Sequence, residues 1–262
     1  MPAVAAHYYF GHQVLKQLPK EIQNIIYTNM EAFNLGLQGP DLFFFYKPLK
    51  SNPVTSYGHH IHSIDADYII SNAVDSIKKS KDIIELSYIF GYVCHFILDS
   101  SLHGKISKIA PEDIEHKFLE AEIDRQIIKQ HYNEKPDKFK RYKLIEINIS
   151  SSEWLKNIYR EINIEDIKKS LRGFRFYMKI LYCSFHAKKA IIEYMEKKLN
   201  REGEFSSMIV NSDKDERYYH SGKELCEGFN ELENKGVKAI LNINSAFLGE
   251  DVLSEVFKFN FL

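Results

Sequence analysis

Apolar positions recur at three- and four-residue intervals along most of the chain, the repeat of a helix that buries one face. The pattern predicts helices over 4–17, 20–35, 61–79, 82–104 and 111–131. Pro19 closes the first, and Gly36 is placed to cap the second. Pro111 opens the last of these, with Glu112 and Asp113 in its first turn, where acids favour the helix dipole. Between 36 and 57 the pattern lapses into Gly39-Pro40-Asp41, Pro48 and Asn52-Pro53, which reads as loop. Residues 132–150 form a charged connector containing Pro136. Further helices are expected over 151–161, 163–199 (with a break near Gly173) and 213–240. Val252–Leu262 alternates weakly and reads as a strand or an extended tail. Strand alternation is otherwise scarce, so the fold class is all-α: one bundle-like helical domain over 1–262. Its front half is 1–131, and its helical back half, 132–262, carries no assignable motif.

Composition changes this picture little. Hydrophobic residues make up 44% and charged residues 27%, as in an ordinary globular protein. Net charge is −1, and lysines are interleaved with acids, as in Lys78-Lys79-Ser80-Lys81-Asp82. A nucleic-acid partner would want a basic surface, so none is expected. The three cysteines, Cys94, Cys183 and Cys226, are widely spaced without a CxxC, which fits a reducing compartment. The first residues lack a basic segment followed by an apolar run, so no signal peptide is expected. The apolar runs Leu42–Tyr46 and Leu86–Phe90 are too short to span a bilayer. A cytoplasmic protein without a transmembrane segment is the expectation, and its oligomeric state stays open.

Candidate chemistry changes the picture more. Eight of the eleven histidines fall within residues 7–116. His95, Asp99 and His103 follow one another at four-residue steps in Gly91-Tyr-Val-Cys-His95-Phe-Ile-Leu-Asp99-Ser-Ser-Leu-His103, so all three project from one helix face. The next helix repeats the spacing with His116 and Glu120, and Asp124 follows. Any one such pair is more often a surface ion pair or a core hydrogen bond. Two pairs on neighbouring helices, the first inside an apolar segment, shift the balance, because a buried Asp99 must be paired. Imidazole and carboxylate without thiolate suit zinc in a catalytic setting with one coordination position open. Asp41 reads as a turn aspartate or a ligand. The run Phe43–Tyr46 reads as core or as a cleft wall. Asp124 reads as a surface acid or as the acceptor that orients His116. Cys94 lies on another helix face and reads as core. His12 lies off the face of His7 and reads as a partner or surface residue. Trp154, His131, His186 and His220 stand outside any constellation, and Asn211–Gly222 reads as loop.

Taken in order, these pieces resemble the zinc-dependent phospholipase C family, which shares its fold with the single-strand-specific zinc nucleases. The matching stretches are Ala6-His7-Tyr-Tyr-Phe-Gly-His12, Gly39-Pro40-Asp41 with the aromatic run after it, and Tyr57-Gly-His-His-Ile-His62. The His95–His103 segment and His116-Lys-Phe-Leu-Glu120 complete the set, which covers about residues 1–125. The resemblance implies an all-α fold and a zinc site of two or three ions. By that analogy Asp41, His62, His95 and Asp99 hold one zinc, and His103, His116 and Glu120 a second. His7 and a bridging Asp99 would hold the third. His62 is preferred over His60 by its spacing from Gly58. The secreted members supply the amine of an N-terminal Trp to the third zinc, whereas this chain begins Met1-Pro2. Their spacing between the equivalents of Asp99 and His103 is also longer. The implied activity is hydrolysis of a phosphoric ester of the phospholipid class, with Asp41 assisting deprotonation of water. Without a signal peptide, and with a helical back half in place of a lipid-binding β-sandwich, an intracellular phosphodiesterase is favoured over a membrane-lytic toxin. The alternatives are a zinc nuclease or phosphodiesterase on a non-lipid substrate, and a non-catalytic metal-binding helical protein. A di-iron carboxylate site would need Glu-x-x-His pairs on two helices, which the sequence lacks.

Overall fold

A computed structural model describes residues 3–146, 148–184 and 186–262. Met1 and Pro2, where the secreted members of the resembled family carry their Trp, lie outside the described residues, as does the side chain of His186. The chain runs through α1 (Val4–Gln17), α2 (Lys20–Thr28), α3 (Met30–Gly36), a 3-10 helix (Gly39–Phe45), α4 (Pro53–Ser63) and α5 (Asp67–Ser80). It continues through α6 (Ile83–Ile109), α7 (Asp113–His131), α8 (Leu155–Ile158), α9 (Ile164–Ile180), α10 (His186–Lys198), α11 (Tyr219–Glu227) and α12 (Phe229–Leu248). There is no β-strand among the described residues, so the fold is all-α.

The longest helix among the described residues is α6. Its 27 residues span about 40 Å at the usual rise per residue. Asp82 caps its start by accepting from the Ile84 N–H at 2.8 Å. From Glu85 to Leu98 every residue is buried, because α3, α12, α1 and α5 pack around it. Helix α6 as a whole is long and apolar enough to cross a bilayer, which the short runs read from the sequence did not reveal. In this fold 78% of its most apolar window is buried inside the molecule, so neighbouring helices account for that composition.

Where α3 crosses α6 the two backbones touch. A Cβ on Gly36 would lie 2.1 Å from the Tyr88 carbonyl oxygen, and one on Gly91 would lie 2.1 Å from that of Phe33. Gly36 is therefore a contact glycine rather than the helix cap expected of it; the capping residue, Leu37, has ordinary right-handed geometry. The predicted helix over 20–35 is divided at Asn29, whose amide donates to the Ile25 carbonyl and whose own carbonyl accepts from Ser87 of α6.

Other boundaries moved for local reasons. The expected loop over 36–57 contains the 3-10 helix and the first residues of α4, which starts at Pro53 with Asn52 accepting from the Thr55 N–H. The predicted helix over 151–161 is helical only through α8. The break expected near Gly173 falls between α9 and α10 instead, and Gly173 stays helical against the Phe45 carbonyl. The helix predicted over 213–240 is divided at Gly228, and α12 runs on to a left-handed cap at Gly249. Val252–Leu262 forms a short 3-10 turn (Glu255–Lys258) and an extended tail, not a strand. One apolar cluster reaches from Ala3 through α6 to Phe261, so both halves of the chain share a core.

Candidate metal centre

Three carbonyl and backbone features aim the imidazoles before any ion is considered. The close α3–α6 crossing brings the Leu37 carbonyl to 3.3 Å from His95 Nδ1. On α4, one helical turn back, the Gly58 carbonyl lies 2.7 Å from His62 Nδ1. A carbonyl can only accept, so in each ring Nδ1 carries the hydrogen and Nε2 is the bare nitrogen. Gly39, at φ +49, turns the chain into the 3-10 helix that carries Asp41. A Cβ there would lie 2.3 Å from the His95 ring, so glycine is required twice over.

The bare nitrogens converge on carboxylates. His62 Nε2 lies 3.1 Å from Asp41 Oδ1. His95 Nε2 lies 3.5 Å from Asp99 Oδ2, and His7 Nε2 lies 3.3 Å from Asp99 Oδ1. Stacked rings of His7 and His95 have centroids 4.3 Å apart. Two trios result, Asp41–His62–His95 and His7–His95–Asp99, each with ligand atoms within 4.8 Å of one another. His95 belongs to both, and the two oxygens of Asp99 divide between His7 and His95, the disposition expected of a bridging carboxylate.

This arrangement is unsatisfactory chemistry without a cation. His95 is fully buried, and its Nε2 has no hydrogen-bond partner among the described residues. His62 Nε2 and Asp41 Oδ1 are two acceptors facing each other unless a proton or a metal lies between them. Burial pushes the His95 pKa down to about 3, with the neighbouring His7 adding to the effect and Asp99 opposing it. His95 therefore stands as neutral imidazole at ordinary pH, the form that binds metal. Asp41 is buried against His62 and His95, where an ionised carboxylate calls for a neighbouring cation. Imidazole and carboxylate donors around a buried orphan nitrogen fit a borderline divalent cation such as zinc.

The remaining three predicted ligands form a looser group. His116 Nε2 lies 3.2 Å from Glu120 Oε1, and the rings of His103 and His116 have centroids 5.2 Å apart. His103 and His116 are half-buried and Glu120 is buried, so this group lies nearer the surface than the trios. His59 and His60 are exposed, and it is His62 that faces Asp41.

One companion of the site differs from the sequence expectation. Asp124 does not reach His116. It is fully buried, accepts from the Ala6 N–H at 2.9 Å, and pairs with Arg141 Nη1 at 2.9 Å. It thus caps the helix that carries His7 from a neighbouring helix. His12 meets Asn34 Oδ1 at 2.8 Å and takes no part in either trio. Of the aromatic run, Phe43 and Phe45 are core, while Phe44 stacks on His62 and lies against His59.

Phe261, the penultimate residue, was not anticipated. It is fully buried and packs on His62, His95 and Phe96, and its N–H donates to the His62 carbonyl at 3.2 Å. Nothing local in the sequence marks it, since its role follows from a tail returning to the site across the molecule. Beyond Phe44 lies a cavity of about 350 Å³ lined also by His59, Asp113, Lys117, Arg201 and Phe205.

Comparison with known proteins bears on this geometry. No match is found among curated proteins or among solved structures. The model of the family described as zinc dependent phospholipase C matches residues 6–171. That span is more than half of the chain and contains all eight predicted ligands, and the chain therefore belongs to the zinc-dependent phospholipase C family.

Proposed function

We propose that this protein hydrolyses a phosphodiester of the phospholipid class at a zinc centre held by His7, Asp41, His62, His95 and Asp99, with His103, His116 and Glu120 completing it. The observation that carries the reading is the pair of buried trios sharing His95, inside the stretch that matches the family. Bound zinc would polarise the phosphoryl oxygens and make water a stronger acid.

The chain's own residues supply the rest. Leu37 and Gly58 hold the two imidazoles in one tautomer through their carbonyls. Asp41, buried 3.1 Å from His62 Nε2, is the carboxylate that would take the proton of the attacking water. A P–O bond then forms from that water while the P–O bond to the glycerol oxygen breaks. The leaving oxygen regains a proton, so diacylglycerol and a phosphorylated headgroup are the products. Phe44 and Phe261 exclude solvent from the His62 side of the centre.

A nuclease reading draws no support from a net charge of −1. The test is a zinc-loaded preparation assayed on a monomeric short-chain phosphatidylcholine and on single-stranded DNA. Release of phosphorylcholine that Asp41→Asn lowers about a hundredfold supports the reading. DNA cleavage without lipid turnover would move the substrate to nucleic acid, and inertness toward both would remove catalysis from the account.

A further inference from the structure

Helix α10 is the least embedded long helix of the back half, and its outward face is apolar. Ile191, Tyr194 and Met195 are 59%, 62% and 56% exposed, and Leu199 just beyond the helix is 55% exposed. Spaced at i, i+3, i+4 and i+8, they make one stripe rather than scattered residues. The inward face is held by a polar anchor. Glu196 is buried and accepts from the backbone N–H groups of Gly203, Phe205 and Ser206 and from the Ser206 hydroxyl. The apolar stripe is therefore not a core face left over from packing.

Charge on the helix is one-sided. Lys188, Lys189, Lys197 and Lys198 stand against Glu193 and the inward-turned Glu196. Lys198 Nζ lies 5.6 Å from the centre of the Tyr194 ring, so cation and aromatic share the exposed surface. The preceding helix continues the character: α9 exposes Phe176 (58%) together with Arg172, Arg175 and Lys179. Lys188 of α10 donates to the carbonyls of Lys179 and Tyr182 at the end of α9, and Tyr177 of α9 stacks on Phe205 of the segment after α10. A chain with a net charge of −1 thus places basic and apolar groups together on the exposed parts of α10 and of α9.

The surface adjoins the metal centre. After α10 the chain turns at Gly203, and Arg201, Glu204, Phe205 and Met208 line the cavity that Phe44 and His59 share. Phe44 in turn stacks on His62. A helix with aromatic and aliphatic groups outward and lysines among them is the pattern that lies in the headgroup layer of a bilayer.

We propose that α10 is an interfacial helix that seats the protein on an anionic phospholipid surface, with Ile191, Tyr194 and Met195 entering the headgroup layer and Lys197 and Lys198 meeting lipid phosphates. The site's substrate class rests on the reading above, but vesicle binding does not require turnover. Full-length protein is sedimented with phosphatidylcholine vesicles containing none or about one-third phosphatidylserine. The parent, Ile191→Ser/Met195→Ser and Lys197→Gln/Lys198→Gln are compared, with circular dichroism to show that each is folded. The expected result is binding to the anionic vesicles, weakened about tenfold by the apolar pair. The lysine pair loses the preference for phosphatidylserine and the sensitivity to salt. Hydrolysis of a monomeric short-chain lipid stays unchanged in both variants. Binding without any hydrolysis would leave this inference standing while removing the proposed activity. Equal sedimentation of parent and apolar variant, or none by the parent, overturns it. So does light scattering that shows a dimer abolished by Ile191→Ser/Met195→Ser, which would make the stripe a contact between copies.

Discussion

The two halves of this chain contribute to one centre in different ways. The front half supplies every candidate ligand, and it does so through local spacing: His95, Asp99 and His103 on α6, His116 and Glu120 on α7. The back half supplies no candidate ligand but holds the ligands in place. Its Phe261 closes over His62 and His95, and its Arg141 neutralises the Asp124 that caps α1. Helical spacing can be read from a sequence, whereas a contact between residues more than a hundred positions apart cannot. The same centre is therefore legible on one side and hidden on the other.

The largest effect should come from the ligands. His95→Ala/Asp99→Ala removes the residue common to both trios and the carboxylate between them, so elemental analysis should find the zinc mostly gone and phosphodiester hydrolysis should fall below detection. A variant that kept its zinc and its rate would sink the centre. Gly39→Ala should do similar damage without touching a ligand. A β-carbon there meets the His95 ring at 2.3 Å and sits on a backbone with φ +49. Strain at positive φ costs about 1 kcal/mol before the clash is counted. Zinc affinity and thermal midpoint should drop together in Gly39→Ala, and unchanged values would show that Asp41 can be delivered by another backbone path.

Back-half variants should trade the other way, with stability lost first and metal second. Phe261→Ala empties a fully buried aromatic site, which typically costs about 3–5 kcal/mol. Arg141→Ala strands Asp124 as a buried charge at a similar cost of about 3–5 kcal/mol. Urea denaturation with and without zinc separates the two halves. In the zinc-free protein both back-half variants should lose stability, whereas His62→Ala should lose little there and forfeit the stabilisation that zinc adds. If Phe261→Ala were as stable as the parent, the tail would be an ornament on the site and not its cover.

The histidine cluster on α4 sharpens the comparison within a single turn. His59, His60 and His62 are near neighbours in sequence, yet His62 alone of the three lies against Asp41. His60→Ala should leave zinc content and activity within about twofold, as expected of an exposed side chain. His62→Ala should lower both by orders of magnitude. Equal losses would mean that the exposed His60 also reaches the centre during turnover.

How far the sequence could be read follows the same physics. Both ends of α1 and α7 and the start of α6 fall within two residues of the predicted bounds, because those helices bury long apolar stretches, while α6 runs five residues past its predicted end. The division at Asn29, the late break between α9 and α10 and the return of the tail were not legible. The first and last depend on what a distant part of the chain presents, Ser87 at Asn29 and His62 at the tail. Asp124 shows the limit most clearly. Its four-residue step after Glu120 suggested a partner for His116, but a helix face is wide enough for Asp124 to turn instead to the start of α1. The tautomers of His62 and His95 were equally hidden, since backbone carbonyls set them and these leave no residue signature.

The smallest expected effect tests whether the core of α6 is tuned for the site or merely for packing. Glu85 is fully buried in the first turn of α6, where one of its oxygens accepts from Asn157 Nδ2 at 2.6 Å. Burial raises its pKa, with hydrogen bonds from Asn157 and Ser76 opposing the shift. The folded state therefore holds this proton more tightly than the unfolded state does. Stability from Glu85 is complete below the unfolded carboxylate pKa and is lost as pH rises through the folded one. Glu85→Gln keeps an acceptor for Asn157 and mimics the protonated acid, so its thermal midpoint should match the parent near pH 4 and exceed it near pH 7, on a scale of about a few degrees. Because Glu85 lies more than two turns from His95, zinc content should not change. A stabilised Glu85→Gln with intact zinc would show that the front half carries a buried charge unconnected with its metal. A variant stabilised at neither pH would mean that Asn157 and Ser76 together satisfy the carboxylate, and that the back half, through Asn157, supports this acid as it supports the ligands.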